Sequence, residues 1–239
     1  MSTFEARATF RRLRASAVHA YTASGGVLAF LAAGELCTSA PDPRVVLALL
    51  LAAVFVDATD GPLARRWDVK TWAGQIDGRT IDDIVDYLTF TFIPLLLVWR
   101  MKWVPEPTAI WIAPALILSL LGFANISAKN ESRGYFLGFP SYWNIYAYYA
   151  GILATFSGAW LNGIVLLILA ALTVFPVKFL YPNLTPVPWR LPVLVGAGLW
   201  TVLLAAMLPS YPSVNPWLAM FSLIYPVFYT GLSYRLLRP

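Results

Sequence analysis

Residues 191–234 read LPVLVGAGLW TVLLAAMLPS YPSVNPWLAM FSLIYPVFYT GLSY, 44 positions without Asp, Glu, Lys or Arg. A helix needs only about 20 apolar residues to cross the hydrocarbon core of a bilayer, so this run holds two crossings. Backbone turning at membrane depth would leave polar groups unpaired in hydrocarbon, which puts the turn at a surface. The segment Pro209-Ser210-Tyr211-Pro212-Ser213-Val214-Asn215-Pro216 supplies that turn, because proline cannot continue a helix. Gly134 to Val177 is a second uncharged run of 44 residues, broken near 157–163.

The whole chain agrees with these stretches. Of its 239 residues, 59% are hydrophobic and 12% charged, against about 25% charged in an ordinary soluble domain. A soluble globular protein is excluded, and the lone Cys37 excludes an internal disulfide scaffold. The expected fold is an all-α polytopic membrane protein with one domain over residues 1–239. About eight transmembrane helices are expected, near 18–38, 44–64, 81–100, 108–128, 142–158, 162–180, 191–209 and 216–235.

An even number of spans puts both termini on one side. Of the 17 Lys and Arg residues, only Arg44, Arg100 and Lys102 fall outside the N-terminal segment and even-numbered turns, leaving 14 on one surface. Basic residues concentrate on the cytoplasmic side, so both termini are expected there. The net charge of +5 is then a topology signal with affinity for anionic head groups, and no nucleic acid partner is called for. Within residues 3–17, Phe4, Ala8, Leu13 and Ala17 alternate with Arg7, Arg11, Arg12 and Arg14. That pattern suits a short amphipathic helix lying in the interface, or a basic flank orienting a transmembrane bundle over 18–235. The uncharged run Ala15 to Gly34 is longer than the apolar core of a signal peptide and is expected to be retained.

Charges at membrane depth are costly and tend to mark function. The apolar run Val45 to Val56 continues as Asp57-Ala58-Thr59-Asp60-Gly61-Pro62-Leu63-Ala64-Arg65, and the next span opens Gly78-Arg79-Thr80-Ile81-Asp82-Asp83-Ile84-Val85-Asp86. Residues three or four apart share a helix face, which pairs Asp57 with Asp60 and Asp82 with Asp86. Asp83 points about a quarter turn away, as a solvated neighbour. Capping or surface exposure would explain any one of these carboxylates, but four converging without balancing cations would repel. Divalent cations resolve the repulsion, and an all-oxygen donor set suits Mg²⁺ or Mn²⁺. His19 and Cys37 are too few for a zinc site. Gly61, Ala64 and Gly78 leave room for close approach of a ligand, and Arg65 offers a planar donor to phosphate. Together these residues read as a two-metal phosphoryl-transfer site acting on a lipid at the membrane surface.

Asp57, Asp60, Gly61, Ala64, Arg65, Gly78, Asp82 and Asp86 resemble the signature of the CDP-alcohol phosphatidyltransferase family, D-x2-D-G-x2-A-R-x8-G-x3-D-x3-D. Here the spacer is 12 residues, Arg66 to Asp77. With eight, the glycine would fall on Gly74 but the following aspartate on Gly78; twelve restores every element. The longer spacer, the chain length, the span number and Gly138-Phe139-Pro140-Ser141-Tyr142-Trp143-Asn144 resemble the bacterial phosphatidylcholine synthase branch. The signature occupies residues 57–86, and with the topology the resemblance extends over most of the chain.

The resemblance implies transfer of the phosphatidyl group from CDP-diacylglycerol to choline, giving phosphatidylcholine and CMP at the cytoplasmic face. It implies that Asp57, Asp60, Asp82 and Asp86 hold two divalent ions on the diphosphate. By the same resemblance Asp57, Asp60, Gly61, Ala64, Arg65, Gly78 and Asp82 line the cytidine nucleotide, Asp86 is the general base, and the assembly is a homodimer.

A quaternary ammonium donates no N–H, so choline would be recognised by aromatic faces. Tyr142, Tyr146 and Tyr149 share a face at i, i+4 and i+7, Tyr87 follows Asp86, and Asn144 and Glu131 offer polar groups nearby. Aromatic residues also form belts at membrane interfaces, and that reading stays open. Lys129 and Arg133 are candidates for the lipid phosphate, or simply positive-inside charge. Serine, glycerol 3-phosphate or inositol remain alternative acceptors, although an anionic acceptor should bring basic residues close to the motif. An ion-coupled transporter would need midplane polar residues in several spans, and the last two spans are nearly devoid of them.

Overall fold

The computed structural model describes residues 3–125, 129–130 and 134–237, and divides into two compact units, residues 1–93 and 94–239. It is nearly all helical. Among the described residues, three helices are long and apolar enough to cross a membrane: Glu5–Leu36, Pro43–Arg66 and Val187–Ser210.

The first unit begins with α1, Thr3–Leu36, an unbroken helix of 34 residues. The separate interfacial helix expected over 3–17 is absent as a distinct element, because Arg and Ala around residues 11–17 are strong helix formers and no Gly or Pro interrupts them. At 1.5 Å per residue α1 is roughly 50 Å long, well beyond the roughly 30 Å of a bilayer core. Its arginine-bearing start can therefore stand outside hydrocarbon. After α1 the chain turns into α2, Pro43–Arg66, which is capped by the Asp42 carboxylate accepting the Arg44 N–H at 2.9 Å, with Pro43 at the first helical position.

The spacer between the halves of the acidic motif is ordered. It forms a single-turn helix, α3 (Val69–Trp72), which docks on α1 through a cluster of Ala15, Val18, Val69 and Ala73, with Leu63, Ala64, Trp67 and Trp72 packed around it. The guanidiniums of Arg11 and Arg14 lie 5.3 Å over the rings of Trp72 and Trp67, respectively. The unit ends in α4, Gly78–Asp86, followed by a π-helical turn, Tyr87–Phe92.

The second unit begins within α5 (Ile93–Arg100) and contains α6 (Thr108–Ala124), α7 (Trp143–Ala154), α8 (Ala159–Val174), α9 (Val187–Met207), α10 (Pro216–Ser222) and α11 (Ile224–Leu237). It also holds a small antiparallel sheet, a departure from the all-α expectation. Strands β1 (Lys129–Asn130), β2 (Tyr135–Leu137) and β3 (Lys178–Leu180) pair in that order, with Lys129 opposite Phe136 and Phe136 opposite Phe179. The helix expected to run to residue 180 stops at Val174, because Pro176 forces Phe175 into an extended conformation (φ −74°, ψ 140°) and frees residues 178–180 to pair as a strand. The final helix is likewise divided at Leu223, where Pro226 cannot give an N–H to the carbonyl of Ser222.

Buried polar side chains join these helices. Trp143 is fully buried, and its Nε1 donates to Ser119 Oγ at 2.7 Å, tying α7 to α6. The Tyr148 hydroxyl donates to the Leu204 carbonyl on α9 at 2.7 Å. Asn162 Nδ2 donates to the carbonyls of Ala150 and Trp103, both at 2.9 Å. Strand β3 sits on α11, where the Ser233 hydroxyl accepts the Leu180 N–H at 3.1 Å.

Candidate active site

Asp57 and Asp60 lie one turn apart near the end of α2. Asp77 starts α4: its carboxylate accepts the Arg79 N–H at 3.1 Å and the Thr80 hydroxyl at 2.8 Å. Those donors, the Thr80 hydroxyl above all, hold the Asp77 carboxyl below the ordinary carboxylate range. From that cap, α4 carries Asp82 and Asp86 on one face. Their carboxylate oxygens and one from Asp57 lie within 4.8 Å of one another, and all three residues are half-buried.

The remaining motif residues surround this group. Asp60 is only 7% exposed, with its carboxylate beside the Thr22 hydroxyl of α1, the Gly61 amide and the Arg65 guanidinium. It is a neighbour of the cluster of three rather than a member of it. Arg65 is exposed and curls back over Gly61, its Nη1 3.4 Å from where a Cβ there would stand. Ala64 faces the cluster that docks the spacer on α1. Gly78, the first residue of α4, faces His19. Asp83 points off the acidic face and pairs with Arg79 at 3.8 Å.

Three half-buried carboxylates this close repel one another unless protons or cations intervene. Their donors are all oxygen, the chemistry that Mg²⁺ and Mn²⁺ take, so the residues fit a divalent metal.

Two members of the aromatic trio are hydrogen-bonded inside this unit. Tyr146 is 6% exposed and its hydroxyl donates to the Asn162 carbonyl at 2.9 Å. Tyr149 shares a hydrogen bond with Ser222 Oγ at 2.9 Å and accepts one from Trp200 Nε1 at 3.2 Å. Tyr142, the residue just before α7, meets the edge of Phe139. Asn144 Oδ1 accepts the Ile145 N–H. Tyr87 opens the π-helical turn directly after Asp86. Glu131 and Arg133 lie outside the described residues, and of Lys129 only the backbone pairing in β1 is described.

Sequence reasoning missed His19 and Thr22, which bring α1 into the site. They lie one turn apart within an uncharged run, and polar residues at helical spacing in such a run are a signal of burial against polar partners.

These features define a membrane protein with an acidic, metal-competent site where helices end. A model of the CDP-alcohol phosphatidyltransferase family matches residues 24–225, and the chain belongs to that family. It is similar to curated proteins named phosphatidylcholine synthase. The protein from Pseudomonas aeruginosa is 39% identical over 172 residues, covering 72% of this chain and 70% of the relative. That from Legionella bozemanae is 35% identical over 199 residues, 78% and 88% of the two chains. That from Rhizobium meliloti is 30% identical over 218 residues, 90% and 87%.

Proposed function

We propose that this chain is a phosphatidylcholine synthase, transferring the phosphatidyl group of CDP-diacylglycerol to choline and releasing CMP. The observation that carries the reading is the convergence of Asp57, Asp82 and Asp86 in a chain whose relatives bear that name.

In this reading Asp57, Asp60, Asp82 and Asp86 hold two divalent ions, Mg²⁺ or Mn²⁺. When bound, these supply positive charge that offsets the diphosphate and the departing CMP. Gly61, Ala64, Arg65 and Gly78 line the cytidine nucleotide, with the Arg65 fork on phosphate. A carboxylate oxygen of Asp86 takes the proton of the choline hydroxyl as the choline oxygen bonds to the phosphorus attached to diacylglycerol. The bond from that phosphorus to CMP breaks, and CMP leaves with the electron pair. The attack is direct, so no group of the protein is modified.

Tyr142, part-exposed, presents an aromatic face to the quaternary ammonium, supported by Tyr149, Asn144 and Glu131; Tyr87, directly after Asp86, is a separate candidate for the same contact. Tyr146 braces the helix that carries Tyr142 and Tyr149. Lys129 and Arg133 take the lipid phosphate. The chain forms one catalytic domain with eight spans, the third and eighth as interrupted helices, and both termini cytoplasmic. It works as a homodimer in a bacterial inner membrane with its site on the cytoplasmic face.

The test is CMP release from CDP-diacylglycerol by the purified chain in nanodiscs with Mg²⁺ or Mn²⁺, offered choline, serine, glycerol 3-phosphate or inositol. Release with choline alone is expected. Release driven by another acceptor reassigns the substrate, and no release with any of the four overturns the reading.

A further inference from the structure

His19 is the chain's one histidine and is 7% exposed on α1. The proposed reaction makes no use of it. Its Nε2 lies 3.2 Å from the Ala73 carbonyl oxygen, which can only accept, so Nε2 carries the proton. The other edge of the ring faces Gly78, where a Cβ would stand 3.0 Å from Cε1 and 3.1 Å from Nδ1. Ala73 and Gly78 bound the turn that leads from α3 into α4. One imidazole thus hooks the end of α3 and sets how closely the first residue of α4 approaches α1.

That placement bears on the acidic cluster because Asp82 and Asp86 follow Gly78 on the same short helix. A helix of nine residues moves as a rod, so a displacement at Gly78 is passed to both carboxylates. Arg11 over Trp72 and Arg14 over Trp67 hold the same spacer on the same helix.

We propose that His19 is a positioning residue that fixes the spacer and the start of α4, so that Asp82 and Asp86 face Asp57. A side chain at residue 78 would crowd the imidazole, a reason for glycine there in addition to its place at the nucleotide. The inference rests on the metal-site reading of the aspartates above.

The experiment uses the full chain in nanodiscs with Mn²⁺ alone as the probe, followed by electron paramagnetic resonance, and CMP release as a second readout. His19→Ala is expected to weaken Mn²⁺ binding about 10-fold, the scale seen when a group that orients metal ligands is lost. His19→Leu, which keeps volume but loses the donor, does the same. His19→Gln, whose Nε2–H reaches the same carbonyl, restores binding to within about twofold of the native protein. Native affinity in both the Ala and Leu variants overturns the proposal.

The glycine is tested by a double-variant cycle. Gly78→Ala is expected to lower kcat/KM about 10-fold in the native background but only about twofold beside His19→Ala, where the added methyl finds room. Equal losses in both backgrounds leave the glycine with its nucleotide-lining role alone and overturn its coupling to His19. Native protein that binds no Mn²⁺ overturns the metal site together with this inference. Mn²⁺ binding weakened as expected, in a protein that releases no CMP with choline, supports this inference and removes only the choline reading.

Discussion

Asp57 on α2 and Asp86 on α4, held on separate helices by the α1 scaffold, bring carboxylate oxygens within 4.8 Å of each other. If Asp86 takes the choline proton, Asp86→Asn should lower kcat by about 10²- to 10⁴-fold, the usual contribution of a positioned base. The helical circular dichroism should be unchanged, because residue 86 is not in the apolar core. Substantial turnover in Asp86→Asn would remove the base assignment.

Chelation should be felt in stability as well as activity. A ligand at 100 times its dissociation constant stabilises the folded state by about 2.7 kcal/mol. Excess EDTA should therefore lower the native Tm measurably, and lower that of Asp57→Asn less, because neutralising one carboxylate both weakens binding and relieves repulsion. An EDTA shift as large in the variant as in the native protein would count against metal at Asp57.

Tyr146 and Tyr142 should separate packing from recognition. Tyr146→Phe deletes a buried hydrogen bond to Asn162 and should cost about 1 kcal/mol of stability with the KM for choline unchanged. Tyr142→Ala should raise that KM several-fold, in line with a cation–π contact of about 0.5–2 kcal/mol. A choline KM that rises in Tyr146→Phe and not in Tyr142→Ala would reverse the assignment.

Gly151 on α7 is a site of close approach. A Cβ there would stand 2.7 Å from the Trp103 ring and collide with the Tyr211 hydroxyl, which donates to the Tyr148 carbonyl at 3.0 Å. Gly151→Ala should destabilise by about 1–3 kcal/mol through overpacking. Adding Tyr211→Phe should recover part of the loss in Tm. An unshifted Tm in the single variant would show that the contact yields freely.

Asp77 provides a pH test. Its carboxyl sits below its ordinary value because Thr80 and the Arg79 N–H bind the charged form. A depressed folded-state value means the cap contributes fully above the unfolded value of 3.8 and is lost as pH falls through the lower, folded one. Amide exchange at Arg79 to Ile81 should stay protected at pH 5 and accelerate only below pH 3.8. Asp77→Asn, a cap with no charge to lose, should flatten that dependence. Acceleration starting well above pH 5 would point to a different group.

The pattern of charge was enough to read the membrane class, the acidic motif and the helix faces. Asp82 and Asp86 are neighbours on a helix whatever surrounds them, and a 44-residue uncharged run excludes a soluble fold by solvation alone. Helix ends are less legible. Pro176 and Pro226 were visible, but proline marks a break without saying whether the freed residues pair as β3 or resume as α11.

The amino-acid sequence by itself determined that this protein is a helical membrane chain and which carboxylates share a helix face, because composition and local spacing act through solvation and helical geometry. Tertiary structure alone decided that α1 is part of the site, through His19 and Thr22, that Tyr146 packs instead of opening to a ligand, and that Asp60 stands beside the cluster of three. Each of those depends on contacts between residues distant along the chain, where the outcome turns on which buried polar atom finds which partner, and no local pattern encodes that choice.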